Sequence, residues 1–158
     1  MQVIDLDPFD VAILNALQAN ARMSSVAMAD EVHLSSSQIT RRLKRLEETG
    51  VIRRYAALLE PAALGLGLMA FTSVSLDVQT KDTAHDFHQA MLKLPAVLEC
   101  YSTTGDADFL IKIVSRDLAS FSDLLMNDIM PLPHVRNVRS SIVLSELKNT
   151  TTLELNDA

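Results

Sequence analysis

The sequence has a single cysteine, Cys100, among its 158 residues. No disulfide can therefore form within the chain, and zinc sites built from several cysteines are excluded. The N-terminus is acidic and lacks the apolar stretch of a signal peptide, and no apolar run reaches the ~20 residues that a membrane helix needs. These absences predict a soluble protein of the cytoplasm with no membrane partner.

Motifs of enzyme chemistry are also absent. The chain has no nucleophile elbow, no glycine-rich phosphate-binding loop and no spacing typical of a catalytic triad. His85 and His88 lie three residues apart on a predicted helix, a spacing that can hold a metal, but no further histidine or cysteine is near them in sequence. We therefore predict no catalytic residue, no metal site and no cofactor.

The net charge of −6 excludes a positively charged coat over the whole surface. Between His33 and Leu59, however, only Glu47 and Glu48 are acidic, whereas the basic residues are Arg41, Arg42, Lys44, Arg45, Arg53 and Arg54. A basic patch confined to one segment of an acidic chain is typical of a DNA-binding protein whose remaining mass has another role.

Residues 34–55 carry the pattern of a DNA-recognition helix. Ser35 and Gln38 have the spacing of a capping box, so a helix is predicted to begin there and to end before Gly50. An apolar stripe would bury one face of this helix, and it consists of Ile39, Leu43 and Leu46. The opposite face has short polar groups near its start and positive charge behind them, as a helix in a major groove needs.

Specific roles follow for this exposed face. The residues predicted to contact base edges are Ser36, Ser37, Gln38, Thr40 and Arg41. The residues predicted to contact mainly phosphates are Arg42, Lys44, Arg45, Arg53 and Arg54. The alternative interpretation is a solvated basic helix face, but the neighbouring segments also fit a DNA-binding unit.

Two further helices precede the basic one. Asp7 and Pro8 predict the start of the first, whose buried stripe would be Phe9, Ile13 and Leu17. Ser24 or Ser25 caps the second, with its inward residues predicted to be Val26, Ala29 and Val32. Residues 51–55 follow as a short strand that would form a wing. Three helices and a wing predict a winged helix-turn-helix over residues 1–60.

The second half predicts a different domain, over residues 68–158, after a linker at 61–67 that contains Pro61 and two glycines. Strands are predicted at 68–78, 97–103, 109–115 and 135–147, with a short fifth at 151–155. Helices start at Asp82 or Thr83 and at Asp117. This order is the ferredoxin-like βαββαβ arrangement, so the fold class is α+β. Its helices cover one sheet face, and the other face is expected to form a dimer.

Four segments, in order, resemble a known family. They are DLDPFDVAILNALQANARMS, LSSSQITRRLKRLEETGVI, YAALLEP and TTGDADFLIKI. Together they resemble the Lrp/AsnC family of leucine-responsive and asparagine regulators over residues 5–155. One departure is that Ser36 and Gln38 stand where the family often has prolines. The resemblance implies a transcriptional regulator that binds double-stranded DNA, with a second domain of the RAM or ACT-like type that binds an amino-acid effector. It also implies a homodimer that assembles into a tetramer or octamer.

The turn at residues 103–108 is the candidate effector site. Two carboxylates and two hydroxyls can bind an ammonium group, and the backbone N–H groups of the turn can receive a carboxylate. The residues that match the family's effector loop are Thr103, Thr104, Gly105, Asp106 and Asp108. The resemblance adds Ser140 and Ser141 on the last strand. The alternative is a hairpin turn that is merely rich in turn-forming residues.

Two other functions remain open from the sequence. An architectural DNA-packing protein without a physiological ligand would share the fold and the basic helix. A metabolic enzyme or enzyme regulator could use the ferredoxin-like domain, but no catalytic constellation supports it. Calorimetry with amino acids and binding to the DNA upstream of the protein's own gene would discriminate among the three.

Overall fold

The structure, a computed structural model, describes residues 4–155 and divides them into two compact units. One unit comprises residues 4–58 with residues 148–155, and the other is Leu59–Leu147. The second domain predicted from the sequence runs from residue 68 to residue 158. The structure instead groups the described end of the chain with the first unit. Residues 1–3 and 156–158 of the predicted domains lie outside the described residues.

Three helices build the first unit: α1 (Pro8–Ala19), α2 (Ser25–Val32) and α3 (Ser36–Glu48). The predicted caps are confirmed, since Asp7, Ser24 and Ser35 each accept a backbone N–H at the start of their helix. Gly50, at a φ of +75°, follows α3 as predicted. The start of each helix is therefore set by a capping residue in its local sequence.

The core of this unit consists mainly of Ile13, Leu14, Met28, Ile39 and Leu46. The inward position predicted for Val26 is wrong, because this side chain is 63% exposed. Met28 is fully buried instead, and two residues correspond to about 200° around a helix. The buried face of α2 is therefore centred on the opposite side from Val26.

The stripe predicted for α1 is also only partly right. Ile13 is fully buried, but Phe9 is 43% exposed and lies under the guanidinium of Arg42, 5.4 Å from ring centroid to Cζ. The position that is buried instead is Asp10, with no exposed surface. A carboxylate in a core requires charged partners, and α3 supplies them.

Asp10 joins α1 to α3 through an ion-pair network with Asp7, Arg42 and Arg45. Arg42 Nη1 lies 2.7 Å from both Asp7 Oδ2 and Asp10 Oδ1, and Arg45 Nη2 contacts Asp10 Oδ2. Burial lowers the pKa of Arg42, but the hydrogen bonds to Asp7 and Asp10 outweigh it and raise that pKa. Likewise burial raises the pKa of Asp7, and the hydrogen bonds from the Asp10 N–H and from Arg42 lower it overall. This network fixes the rotation of α3 about its own axis.

The second unit is a four-stranded antiparallel sheet with helices. Its elements are β1 (Leu68–Leu76), α4 (Lys81–Met91), β2 (Val97–Ser102), β3 (Phe109–Ser115), α5 (Leu118–Leu124) and β4 (Val135–Ile142). A π-helical turn, Leu125–Ile129, continues α5. The strand order β2-β3-β1-β4 confirms the predicted ferredoxin-like arrangement. One detail differs: Thr80 caps α4, and Thr83 completes the capping box.

The two faces of the sheet differ in exposure. Ala70, Val74 and Ile111 face the helices and are fully buried, together with Phe87 of α4 and Phe121 of α5 in one core. Alternate residues face the other way, and among them Phe71 is 38% and Tyr101 51% exposed. This second face is the open face of the sheet in a single chain.

Two predicted strands do not form. Residues 51–55 and 151–155 both lack strand structure, and β4 ends at Ile142 rather than at residue 147. A strand requires a neighbour that pairs its backbone N–H and C=O groups, and within the described chain neither segment has one. The predicted wing strand is therefore an irregular segment.

The Asp10 network yields a stability prediction. Asp10→Asn removes the buried charge that faces two guanidinium groups, so we expect the free energy of unfolding of the first unit to fall by about 3 kcal/mol. Chemical denaturation measures this. The matched control is Glu48→Gln, which loses only an exposed pair with Lys44 at 3.7 Å and should change stability by less than ~0.5 kcal/mol. A loss below ~1 kcal/mol for Asp10→Asn would show that the network does not hold the unit together.

Candidate DNA interface and effector pocket

The outer face of α3 carries the side chains expected for reading DNA. Thr40, Arg41 and Lys44 are exposed, while Ile39 and Leu46 behind them are fully buried. Arg41 has no ion pair or hydrogen-bond partner among residues 4–155, and Lys44 contacts only Glu48 at the surface. Two cations and a hydroxyl therefore project outward together from one helix face.

The first turn of α3 is partly occupied by its own cap. Gln38 Oε1 accepts from the Ser35 N–H at 2.9 Å, and the Thr40 hydroxyl donates to the Ser36 carbonyl at 2.9 Å. Ser37 is exposed, with its Oγ 3.1 Å from Ser35 Oγ. The hydroxyls and the Gln38 amide nitrogen still lie at the surface, where hydrogen bonds to bases can form.

The predicted phosphate contacts separate into two groups. Arg42 has a side chain only 20% exposed, and it points into the Asp10 network, which argues against a phosphate contact. Arg45 also pairs with Asp10, but its side chain is 47% exposed and remains accessible. Arg53 and Arg54 are exposed on the irregular segment after α3. The sequence could not separate inward from outward arginines, because the difference depends on the position of Asp10.

Tyr55 ties that irregular segment to α3. Its hydroxyl donates to Glu47 Oε1 at 2.9 Å. Partial burial together with the neighbouring Glu47 carboxylate raises the pKa of Tyr55 to about 12, so the hydroxyl keeps its proton at physiological pH. The contact holds Arg53 and Arg54 near the C-terminal end of the recognition helix.

The loop at residues 103–108 is held by bonds within the second unit. Asp108 accepts from the Leu76 N–H at 2.7 Å and from the Gln79 side chain, and the Thr103 hydroxyl donates to the Ala107 carbonyl at 2.9 Å. Gly105 has a φ of +108°, a conformation that other residues rarely adopt. Asp108 therefore fastens the loop to the end of β1, and its oxygens are already engaged.

Asp106 differs from Asp108, because its carboxylate has no hydrogen-bond or ion-pair partner in the described chain. It borders a polar cavity of about 430 Å³ on the open face of the sheet. The other residues that line this cavity are Ser73, Ser75, Ala107, Arg136, Asn137 and Arg139. The cavity thus combines one free carboxylate with two guanidinium groups.

Several residues predicted to bind the effector do not line this cavity. Thr103, Thr104 and Gly105 are in the loop but do not line the cavity, and neither do Ser140 and Ser141. The Ser140 hydroxyl lies 2.9 Å from the Thr72 hydroxyl, on the opposite sheet face from the cavity. Ser140 and Ser141 are neighbours on β4, and neighbouring strand residues point to opposite faces of a sheet. The sequence alone therefore indicates that the two serines cannot both face one site.

The strand residues that line the cavity were not among the predicted site residues. Ser73 is the register partner of Arg139, and Ser75 is that of Asn137. Arg136 lies at the irregularity where the register shifts next to Leu76. The alternation of side chains along β1 and β4 could have shown which residues share a sheet face. The register that brings these residues together is not visible in the sequence.

Residues 4–155 contain neither a metal-binding cluster nor a membrane-spanning helix. No group of three or more histidine, cysteine, aspartate or glutamate side chains has an arrangement that could hold a metal ion. No helix in that part of the chain has the length and hydropathy needed to cross a bilayer.

Comparisons with known protein families cover nearly the whole chain. Residues 6–53 match a winged helix-turn-helix DNA-binding domain, and residues 69–153 match the Lrp/AsnC ligand binding domain. The leucine-responsive regulatory protein of Rhizobium meliloti (strain 1021) is 35% identical over 152 residues, which are 96% of this chain and 97% of that protein. The transcriptional regulator AzlB of Bacillus subtilis (strain 168) is 32% identical over 98% of each chain.

Solved structures show the same likeness. A complex of the transcriptional regulator NMB0573 with L-Met, from Neisseria meningitidis, has a TM-score of 0.91 and 41% identity, covering 96% of this chain and 98% of that one. The structure of AsnC from E. coli has a TM-score of 0.83 and 27% identity, covering 94% and 99%. The likeness therefore extends over both units.

The bonds of Asp108 predict a structural role that Asp106 lacks. Asp108→Ala leaves the Leu76 N–H without its acceptor, so we expect the free energy of unfolding of the second unit to fall by about 2 kcal/mol. The matched variant Asp106→Ala removes an exposed carboxylate that has no partner among residues 4–155 and should change stability by less than ~0.5 kcal/mol. Thermal or chemical denaturation compares the two. Equal losses would contradict the assignment of Asp108 as the residue that fastens the loop.

Proposed function

The chain belongs to the Lrp/AsnC family of DNA-binding transcriptional regulators, and from this premise we propose that an amino acid bound between its subunits controls its affinity for DNA or its assembly. The observation that carries the proposal is that one chain has both an outward basic face on α3 and a polar cavity beside Asp106. The first can contact DNA, and the second has the charges that an α-amino acid complements.

DNA recognition in this proposal uses the exposed face of α3. Arg41 and the first-turn residues Ser36, Ser37, Gln38 and Thr40 contact base edges in the major groove. Lys44, Arg45, Arg53 and Arg54 contact phosphates, whereas Arg42 supports the helix from behind. Two such helices in a dimer would enter successive major grooves about one helical turn apart.

A dimer is proposed because the sheet has an open face. Phe71, on that face, is 38% exposed although it is a large apolar side chain in the middle of β1. A second copy packed against this face would bury it, as sheet-on-sheet packing does. Further association of dimers into a tetramer or octamer is part of the proposal.

The amino acid would be held by charge complementarity. The Asp106 carboxylate would accept its ammonium group, and Arg139 or Arg136 would bind its carboxylate. Ser73 and Ser75 would add hydroxyls from β1. Because the cavity opens on the face that a second copy would cover, the partner subunit would complete its wall. The Neisseria structure is a complex with L-Met, so methionine is the first amino acid to test.

The proposed function includes no catalytic step or cofactor; it is supported by the matches to a winged helix-turn-helix DNA-binding domain and to a ligand binding domain. We propose that the protein works in the cytoplasm, where promoter DNA is accessible. By thermodynamic linkage, an amino acid that changes DNA affinity must have its own affinity changed by DNA by the same factor.

Fluorescence anisotropy with the DNA upstream of the protein's own gene tests the proposal. Methionine, or another of the twenty amino acids, should change the dissociation constant of the wild-type protein by about 5-fold or more. Asp106→Ala should keep the DNA affinity and lose this response, because the ammonium group loses its acceptor. The control is Asp86→Ala, an exposed carboxylate on α4 that should respond like the wild type.

Two results of that experiment would contradict the proposal. DNA binding that no amino acid changes would favour the architectural alternative. A full response in Asp106→Ala would remove the cavity as the effector site.

A further inference from the structure

The described end of the chain returns to the DNA-binding unit and pairs with α1. The Gln18 side chain donates from Nε2 to the Leu153 carbonyl at 3.1 Å, and the Leu153 N–H donates to Gln18 Oε1 at 2.7 Å. One amide side chain therefore pairs with both backbone groups of a residue far away in sequence, as a neighbouring strand would. Leu155, two residues further on, is partly buried against the core of the three helices.

This attachment is specific but weak enough to open. Each of the two hydrogen bonds stabilises the docked state only modestly, because its donor and acceptor can both bond to water instead. Leu155 adds a partly buried side chain, while Leu153 itself is 70% exposed. The residues from 148 to 155 have no helix or strand structure of their own. A segment held by so few contacts opens at a small fraction of the global unfolding free energy.

A short connection, residues 143–147, joins the strand that lines the cavity to the segment. Asn137 and Arg139 of β4 line the proposed amino-acid site, and β4 ends at Ile142 with Val143 still donating to the Met69 carbonyl at 2.9 Å. A shift of β4 on ligand binding would therefore reach Leu153 along the irregular chain that follows the strand.

The other end of the attachment acts on the recognition helix. Gln18 lies on the same helix as Asp10, the residue that holds Arg42 and Arg45 of α3. The position of α1 therefore fixes the orientation of the basic face. The docked segment contacts α1, and α1 contacts α3 through Asp10, so a single helix separates the segment from the helix that bears the DNA-contacting side chains.

We propose that residues 148–155 couple the effector site to the DNA-binding unit, with Gln18 as the positioning residue that docks them. The docked and released states of this segment are the two states whose populations the amino acid shifts. The proposal rests on the amino-acid response proposed above, and it assigns the route by which that response reaches α3.

The test compares Gln18→Ala with Gln89→Ala, a control that removes an exposed glutamine from α4. Hydrogen–deuterium exchange should show faster exchange of the peptide containing Leu153 in Gln18→Ala only. Because Gln18→Ala favours the released state, fluorescence anisotropy should show its DNA affinity without amino acid shifted toward that of the wild type with amino acid. The change in DNA affinity caused by methionine, or by whichever amino acid acts on the wild type, should fall from ~5-fold or more to less than ~2-fold.

A second variant perturbs the other partner of the same bonds. Leu153→Pro removes the N–H that donates to Gln18, at an exposed position outside every helix and strand, and it should also lose the response. Calorimetry should show that both variants still bind the amino acid, with an affinity that differs from wild type by no more than the coupling factor, since neither residue lines the cavity.

The outcomes separate this proposal from the function on which it rests. A wild-type protein that responds to no amino acid overturns the proposed function and the coupling with it. A wild-type response that both Gln18→Ala and Leu153→Pro keep in full overturns the coupling alone. Unchanged exchange at Leu153 in Gln18→Ala would likewise overturn it, because the docked state would not depend on Gln18.

Discussion

The buried carboxylate of Asp10 is the constraint on which the DNA-binding unit depends. It has no exposed surface, and it is balanced by Arg42 and Arg45 of the recognition helix. Removing a charge from water is costly unless it is paired, so α1 and α3 can pack closely only in the rotation that makes these pairs. In that rotation Arg41 and Lys44 point away from the core. This ion-pair network therefore determines which cations of the basic segment remain available for DNA.

In the second unit as well, a paired carboxylate holds the structure, whereas a carboxylate without a partner among the described residues borders the proposed amino-acid site. Asp108 is engaged by the Leu76 N–H and by Gln79, and it holds the loop in place. Asp106, two residues earlier, is unpaired and borders a cavity that also contains Arg136 and Arg139. The loop that the family resemblance identifies thus contains one structural and one free carboxylate, and only the geometry tells them apart.

Local signals in the sequence were sufficient for much of the fold. The caps at Asp7 and Ser35 were predictable because a capping box involves residues three apart, and the ferredoxin-like order followed from the sequence of strands and helices. The strands at 51–55 and 151–155 were wrong, because strand formation depends on a distant partner that composition does not reveal. For the same reason the pairing of Ser73 with Arg139, and of Gln18 with Leu153, could not be predicted.

Chemical modification of arginine, followed residue by residue by mass spectrometry, tests the central claim most directly. With the protein free in solution, a dicarbonyl reagent should modify Arg41 readily and Arg42 slowly, since Arg42 is paired with Asp7 and Asp10. Adding the DNA upstream of the protein's own gene should protect Arg41 and leave Arg42 as slow as before. Rapid modification of Arg42 in the free protein, with protection by DNA as strong as that of Arg41, would contradict the orientation of the recognition helix described above.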